Sequence, residues 1–385
     1  MFSSRSSFDL GPNRLAAALA EARGSGRVIL DLTESNPTRA SIPYDRGAIL
    51  GALALPDSLR YDPSPFGLPA ARAAVARDFG ANGTPIDATR IVLTASTSEA
   101  YSFLFKLLAD PGDEVLAPAP SYPLLDHLAR LEAVRLVPYR LAYDGAWHVD
   151  FDSVRAALST RTRAIVVVHP NNPTGSYLKQ GELEAIASLG VPLISDEVFA
   201  RYPLQEGSSP PISVLRGRGA PLVFALGGLS KLAALPQMKL AWIAVGGEAD
   251  RVEAALARLE IITDAFLSVG TPVQNALPAL LASRGAATKA VIERTRGNLA
   301  HLREAIAPSS VSVLGVEGGW YATLRLPNTR TDEEWTLTLL EKDSVHVHPG
   351  HLFDFEQDAY LVVSLLTPDA VFHEGIRRLL ARVGA

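Results

Sequence analysis

The sequence predicts an α/β protein with a large α/β/α domain, built on a mostly parallel central sheet, and a smaller α+β domain. Three observations carry this. From about residue 68, short apolar segments rich in Val, Ile and Leu alternate with helical ones; that is the pattern of βαβ units whose sheet is covered on both faces. After about residue 250 the texture changes to long helical stretches, followed by strand-like and helical segments in turn. The 385 residues are enough for about two domains without disulfide or metal staples. We divide the chain into an N-terminal segment, 1–45, packing with the small domain, a large domain, 46–280, and a small C-terminal domain, 281–385.

The elements follow in order. GPNRLAAALAEAR (11–23) reads as an amphipathic helix broken by Gly24-Ser25-Gly26. VILDLT reads as a short strand running into the turn Glu34-Ser35-Asn36-Pro37. PAARAAVARDFGANG is a helix ending in Gly, RIVLTAS a strand, SEAYSFLFKLLADPG a helix stopped at Pro-Gly, and DEVLAPAPS a strand. YPLLDHLARLEA, DFDSVRAALST and KQGELEAIASLG read as helices. VRLVPYRL, RAIVVVHP, VPLISDEV, PLVFALGG and KLAWIAVGG read as strands. Residues 250–306 read as helical with a break near Ser268–Pro272. Beyond them, VSVLGVEGGWYATLRLP, VHVHPG and AYLVVSLLT are strand-like and flank helices at TDEEWTLTLLEK and TPDAVFHEGIRRLLARV.

Composition excludes several functions. Hydrophobic residues make up 48% and the net charge is −5, too apolar and too weakly charged for disorder and without the basic stripe that nucleic acid requires. There is no Cys, so disulfides, thiolate metal sites and cysteine nucleophiles are ruled out. The N-terminus lacks the apolar run of a secretory signal. The most apolar window, Pro221 to Trp242, is too broken by Lys231 and Lys239 to span a membrane. A cytoplasmic enzyme is the expectation.

Ligands of open α/β sheets bind at the carboxyl ends of strands. RIVLTAS ends in Ser96-Thr97-Ser98 at a helix start, a phosphate cradle or an ordinary N-cap. RAIVVVHP ends in Asn171-Asn172-Pro173-Thr174-Gly175, which is also plain turn chemistry. VPLISD ends in Asp196-Glu197, a helix cap or the partner of a cationic ligand. PLVFALGGLSK ends in Ser230-Lys231, where burial would lower the amine's pKa and make it a nucleophile. Phosphate cradle, carboxylate, amide and desolvated lysine together are what pyridoxal phosphate needs.

Four blocks in order, DPGDEVLAPAPSYP, HPNNPTG, ISDEVF and SKLAALPQMKLAW, resemble the class I/II aminotransferases, pyridoxal-phosphate enzymes of fold type I. The resemblance implies a Schiff base on Lys231, which then shuttles the substrate proton. It implies Asp196 on the pyridine nitrogen, Asn172 on the ring hydroxyl and Tyr122 against the ring face. Ser96, Thr97 and Ser230 would hold the phosphate, with Lys239 adding charge. Tyr61, in RYDPSPFG, would reach the phosphate of a neighbouring subunit, which implies a homodimer. The implied reaction moves an amino group from a small-molecule donor to a keto acceptor in two stages.

The sequence departs from that family at several positions. Ser35 stands where a Gly is usual and would face the substrate. Ser96 also replaces a Gly, Gly228 a hydroxyl residue, and Lys239 an Arg. Phe199 replaces a Tyr, leaving Asn172 as the obvious donor to the ring hydroxyl. The family's carboxylate-binding Arg matches Val362, and no Arg lies between Arg330 and Arg377. Losing a bidentate charged pair costs about 1.5–3 kcal/mol or more. Three explanations stand: His351 or Arg201 takes the carboxylate, the donor has no α-carboxylate, or transamination has been lost. A lyase, decarboxylase or racemase on the same scaffold is the alternative activity, and a non-catalytic cofactor-binding protein the alternative to an enzyme. His346 and His348 would share one face of a strand; with no evident carboxylate partner, no metal is expected.

Overall fold

The computed structural model describes residues 1–205, 211–217 and 219–384. In chain order its first strands are β1 (Leu30–Asp31), β2 (Ile91–Thr94), β3 (Glu114–Ala119), β4 (Arg135–Tyr143), β5 (Trp147–Val149), β6 (Thr162–Val168) and β7 (Leu193–Asp196). There follow β8 (Leu222–Gly228), β9 (Ala241–Gly247), β10 (Ser312–Val313), β11 (Tyr321–Arg325), β12 (Val345–His346), β13 (His348–Pro349) and β14 (Tyr360–Ser364).

Eight strands form the main sheet in the order β2-β9-β8-β7-β6-β3-β4-β5. The pairs from β8 through β4 are parallel, while β9 runs antiparallel to both β8 and β2. The chain returns directly from β8 through the short helix Leu229–Leu232, so no crossover helix is available to make β9 parallel. The two faces of the sheet are buried in separate apolar clusters, which explains strands that are apolar without alternation. The small strand β5 was not expected. It pairs antiparallel with β4 across Asp144-Gly145-Ala146, where Gly145 takes φ 108°.

Helix starts follow local chemistry. Pro69 opens Pro69–Ala81, the Asp150 carboxylate caps Phe151–Ala157, and Thr331 with Glu334 forms a capping box on Asp332–Asp343. The helical stretch after residue 249 breaks between Ala249–Asp264 and Thr271–Ser283.

A second sheet has the order β10-β11-β14-β13. Ala322, Leu324, Leu361 and Val363 pack into a core with residues of the helices Gly285–Ile306, Asp332–Asp343 and Asp369–Val383. The alternate residues Tyr321, Thr323, Val362 and Ser364 therefore turn to the opposite face. The helix Arg14–Gly24 packs Leu15 and Ala22 against Leu337 and Leu340 of helix Asp332–Asp343. Only Leu30–Asp31 of the VILDLT strand is laddered, because its partner β12 is itself two residues long. Among the described residues, no helix is long and apolar enough to cross a membrane.

Candidate functional site

The strands β2, β3, β6, β7 and β8 end at the same edge of the main sheet. Their ends carry Ser96, Tyr122, Asn172, Asp196 and Lys231. Asp196 is the last residue of β7, level with Val168 of β6 and Leu226 of β8. One carboxylate oxygen accepts from the Val198 N–H at 3.1 Å and the other from the Tyr101 hydroxyl at 3.4 Å. Burial pushes the Asp196 carboxyl up to about 6, against these hydrogen bonds and the nearby Lys231 amine.

Lys231 sits in the short helix after β8. Its amine lies 4.9 Å from the ring centre of Trp320 and 5.4 Å from that of Phe199. Burial lowers it from 10.5 to about 8, and only Asp196 opposes the fall. The backbone is held as well: the Tyr202 hydroxyl donates to the Lys231 carbonyl. Gly228 precedes it; a Cβ there would come within 2.9 Å of the Ala241 Cβ, which explains why no hydroxyl residue stands at 228.

Asn172 is buried and its Oδ1 has no hydrogen-bond partner. Tyr122 is partly buried, its phenol pushed up to about 12 by burial and then by Asp196 and Tyr321. Ser96 caps helix Thr97–Leu108, its Oγ accepting from the Glu99 N–H at 3.1 Å. The hydroxyl proton stays free to donate, and Thr97 follows at the helix end where N–H groups are unpaired. Ser230 is partly buried beside Lys231. Phe199 is buried against Trp320 and Tyr321, with ring centres 5.4 and 6.2 Å apart. Ser35 is in hydrogen-bonding contact with the Tyr321 phenol.

Lys239 is exposed, in a left-handed conformation (φ 50°) just before β9. Tyr61 is 75% exposed. Val362 is fully buried in β14, directly opposite Thr323 and His348. His351 is exposed and its Nδ1 lies 3.1 Å from Asp332 Oδ1. Arg201 engages Asp78 and Asn82 on the wall of a separate cavity of about 310 Å³ that also touches Glu197 and Trp242. Both residues proposed to replace the missing Arg thus contact protein carboxylates.

The two histidines differ from expectation. His346 belongs to β12 and His348 to β13, and the first has a carboxylate partner, with Nδ1 3.2 Å from Asp31. Asp31 comes from a strand more than 300 residues earlier, which local spacing does not reveal. Burial raises the Asp31 carboxyl, but hydrogen bonds from His346 and Thr33 hold it well below the ordinary range. Tyr101, Trp320 and Tyr202 also contact the site and were missed; none stands at the carboxyl end of a strand, the signal used above.

The family model for class I and II aminotransferases matches residues 29–379. Nicotianamine aminotransferase 1 of Oryza sativa subsp. japonica is 31% identical over 69% of this chain and 55% of its own length. Human tyrosine aminotransferase is 24% identical over 83% of this chain and 72% of its own. An alanine aminotransferase structure from Pyrococcus furiosus superposes with a TM-score of 0.90 over all of both chains at 24% identity, a likeness of fold. The chain spans about half the length of the first nicotianamine aminotransferases it matches.

Proposed function

The chain belongs to the class I and II aminotransferase family, and from that membership we propose that it is a pyridoxal-phosphate-dependent aminotransferase acting on small molecules. The observation that carries this is the buried Lys231 amine, lowered to about 8, beside the recessed Asp196 carboxylate. The donor set fits the cofactor. Asn172 is a buried amide whose NH2 group would donate to the ring oxygen, and Ser96 and Thr97 stand at a helix start that favours phosphate.

Pyridoxal phosphate supplies an aldehyde that condenses with amines and a ring that takes up the electron pair released at the substrate Cα. The protein does the rest. Lys231 would hold the cofactor through its amine and would move the proton at the substrate Cα, for which a pKa near neutrality suits it. Asp196, ionised above about pH 6, keeps the proton on the pyridine nitrogen. Asn172 orients the ring hydroxyl, Tyr122 covers the ring, and Ser96, Thr97, Ser230 and Lys239 hold the phosphate. Phe199 and Trp320 keep water from the Lys231 amine. A second copy of the chain would bring Tyr61 to the phosphate; its exposure in a groove shared with Leu267 supports a homodimer.

The test is spectroscopic. Purified protein should absorb visible light after loading with pyridoxal phosphate, Lys231→Ala should not, and amino donors should discharge the band in the wild type. A protein that takes up no added cofactor defeats the proposal. A lyase activity is the second reading, favoured by 31% identity to an S-alkyl-thiohydroximate lyase of Arabidopsis thaliana over 66% of this chain. It predicts release of a fragment with no accumulation of pyridoxamine phosphate.

A further inference from the structure

The face of the four-stranded sheet turned away from its helices carries Tyr321 and Thr323 on β11, Val362 and Ser364 on β14, and His348 on β13. One end of this face lies at the Lys231 site. The Trp320 ring centre lies 4.9 Å from the lysine amine, and Tyr321 packs on Phe199 and contacts Ser35. Thr323 and His348 stand directly opposite Val362 on its two sides, because β14 lies between β11 and β13, so they flank it about 10 Å apart on one face. Phe353 closes its flank. Its ring centre is 5.7 Å from that of His348, and its carbonyl accepts from the N–H of Ser121, the neighbour of Tyr122, at 2.9 Å.

Two polar groups here have no partner in the protein. The hydroxyls of Thr323 and Ser121 are buried without a hydrogen bond, in residues 1% and 4% exposed. Such groups are costly to bury unless something satisfies them. His348 adds a ring that, neutral, both donates and accepts; burial and then the neighbouring His346 lower it to about 4. The cation on this face among the described residues, Arg325, is exposed and about 7 Å further along β11 than Thr323. A carboxylate placed at Val362 would lose its water and meet no opposite charge.

Resting on the aminotransferase reading above, we propose that His348 and Thr323 recognise an uncharged hydrogen-bonding group on the α-carbon of the amino donor. The preferred donors then carry a hydroxymethyl or amide group where an α-amino acid carries its carboxylate.

The experiment follows discharge of the visible band of the cofactor-loaded protein by L-phenylalanine, L-phenylalaninol and L-phenylalaninamide, and by the leucine counterparts. The neutral donors should convert about tenfold faster or more in the wild type. His348→Leu should bring the two kinds level, His348→Gln should keep the preference, and Val362→Arg should reverse it. If Val362→Arg does not fold, the pair of His348 variants decides. Faster conversion of the amino acids by the wild type overturns the inference and leaves the aminotransferase reading standing. So does an Arg325→Ala variant that selectively loses amino-acid conversion, since Arg325 would then be the carboxylate's partner. A loaded protein that converts none of the donors overturns both.

Discussion

Two walls, the carboxyl edge of the main sheet and the helix-free face of the second sheet, bury polar groups and treat charge differently. On the main-sheet wall, Lys231 and Asp196 are opposite charges, each moved toward its neutral form by burial and each partly held back by the other. On the second wall, Thr323, Val362 and His348 offer hydrogen bonds and apolar surface but no charge. A charge survives burial where an opposite one is near; elsewhere the group gives up its charge, as His348 does. On the reading proposed above, acid–base chemistry belongs to the first wall and recognition of a neutral group to the second.

The largest test of that contrast removes the nucleophile. Lys231→Ala should cut turnover roughly a thousandfold or more, measured as amino transfer to a keto acid. A fall below tenfold would put the chemistry elsewhere.

Asp196→Asn comes next and should act in two directions. Turnover should fall roughly a hundredfold, while the cofactor-free protein should gain stability at high pH. The folded carboxyl titrates near 6 against an ordinary 3.8, so its charge opposes folding increasingly above pH 3.8 and fully above about 6. The gain is then at most about 3 kcal/mol at pH 8 and vanishes near pH 3. Urea melts at the two pH values check this, and an equal gain at both would contradict the assignment.

Phe199→Tyr probes the seam between the walls. In the cofactor-free protein the new hydroxyl is buried among Trp320 and Tyr321, at a cost of about 1–3 kcal/mol. In the loaded protein it should lower the pH at which the visible band changes, by competing with Asn172 for the ring hydroxyl. An unchanged or higher transition pH would refute that competition.

The smallest effect is expected outside both walls. His351→Ala removes a contact with Asp332 from a histidine side chain that is 50% exposed, and should change kcat/KM by less than about twofold. A large loss would bring His351 back as a substrate contact.

Much of this molecule was legible in the sequence because its cues are local. Apolar runs bounded by Gly and Pro mark the strands, and caps such as Asp150 and Thr331 mark helix starts. The polar residues at or just after strand ends, among them Asn172, Asp196 and Lys231, collect at one edge because parallel strands all end there. Tertiary structure decided the rest. It reversed β9, brought Tyr101 to Asp196 and Asp31 to His346, and placed Arg201 and His351 against protein carboxylates. It also set the register that puts His348 and Thr323 opposite Val362, which no reading of β11, β13 or β14 alone could supply. The physical reason is separation along the chain: caps and periodicity act within a few residues, whereas burial, charge pairing and strand register depend on segments that meet only when the core closes.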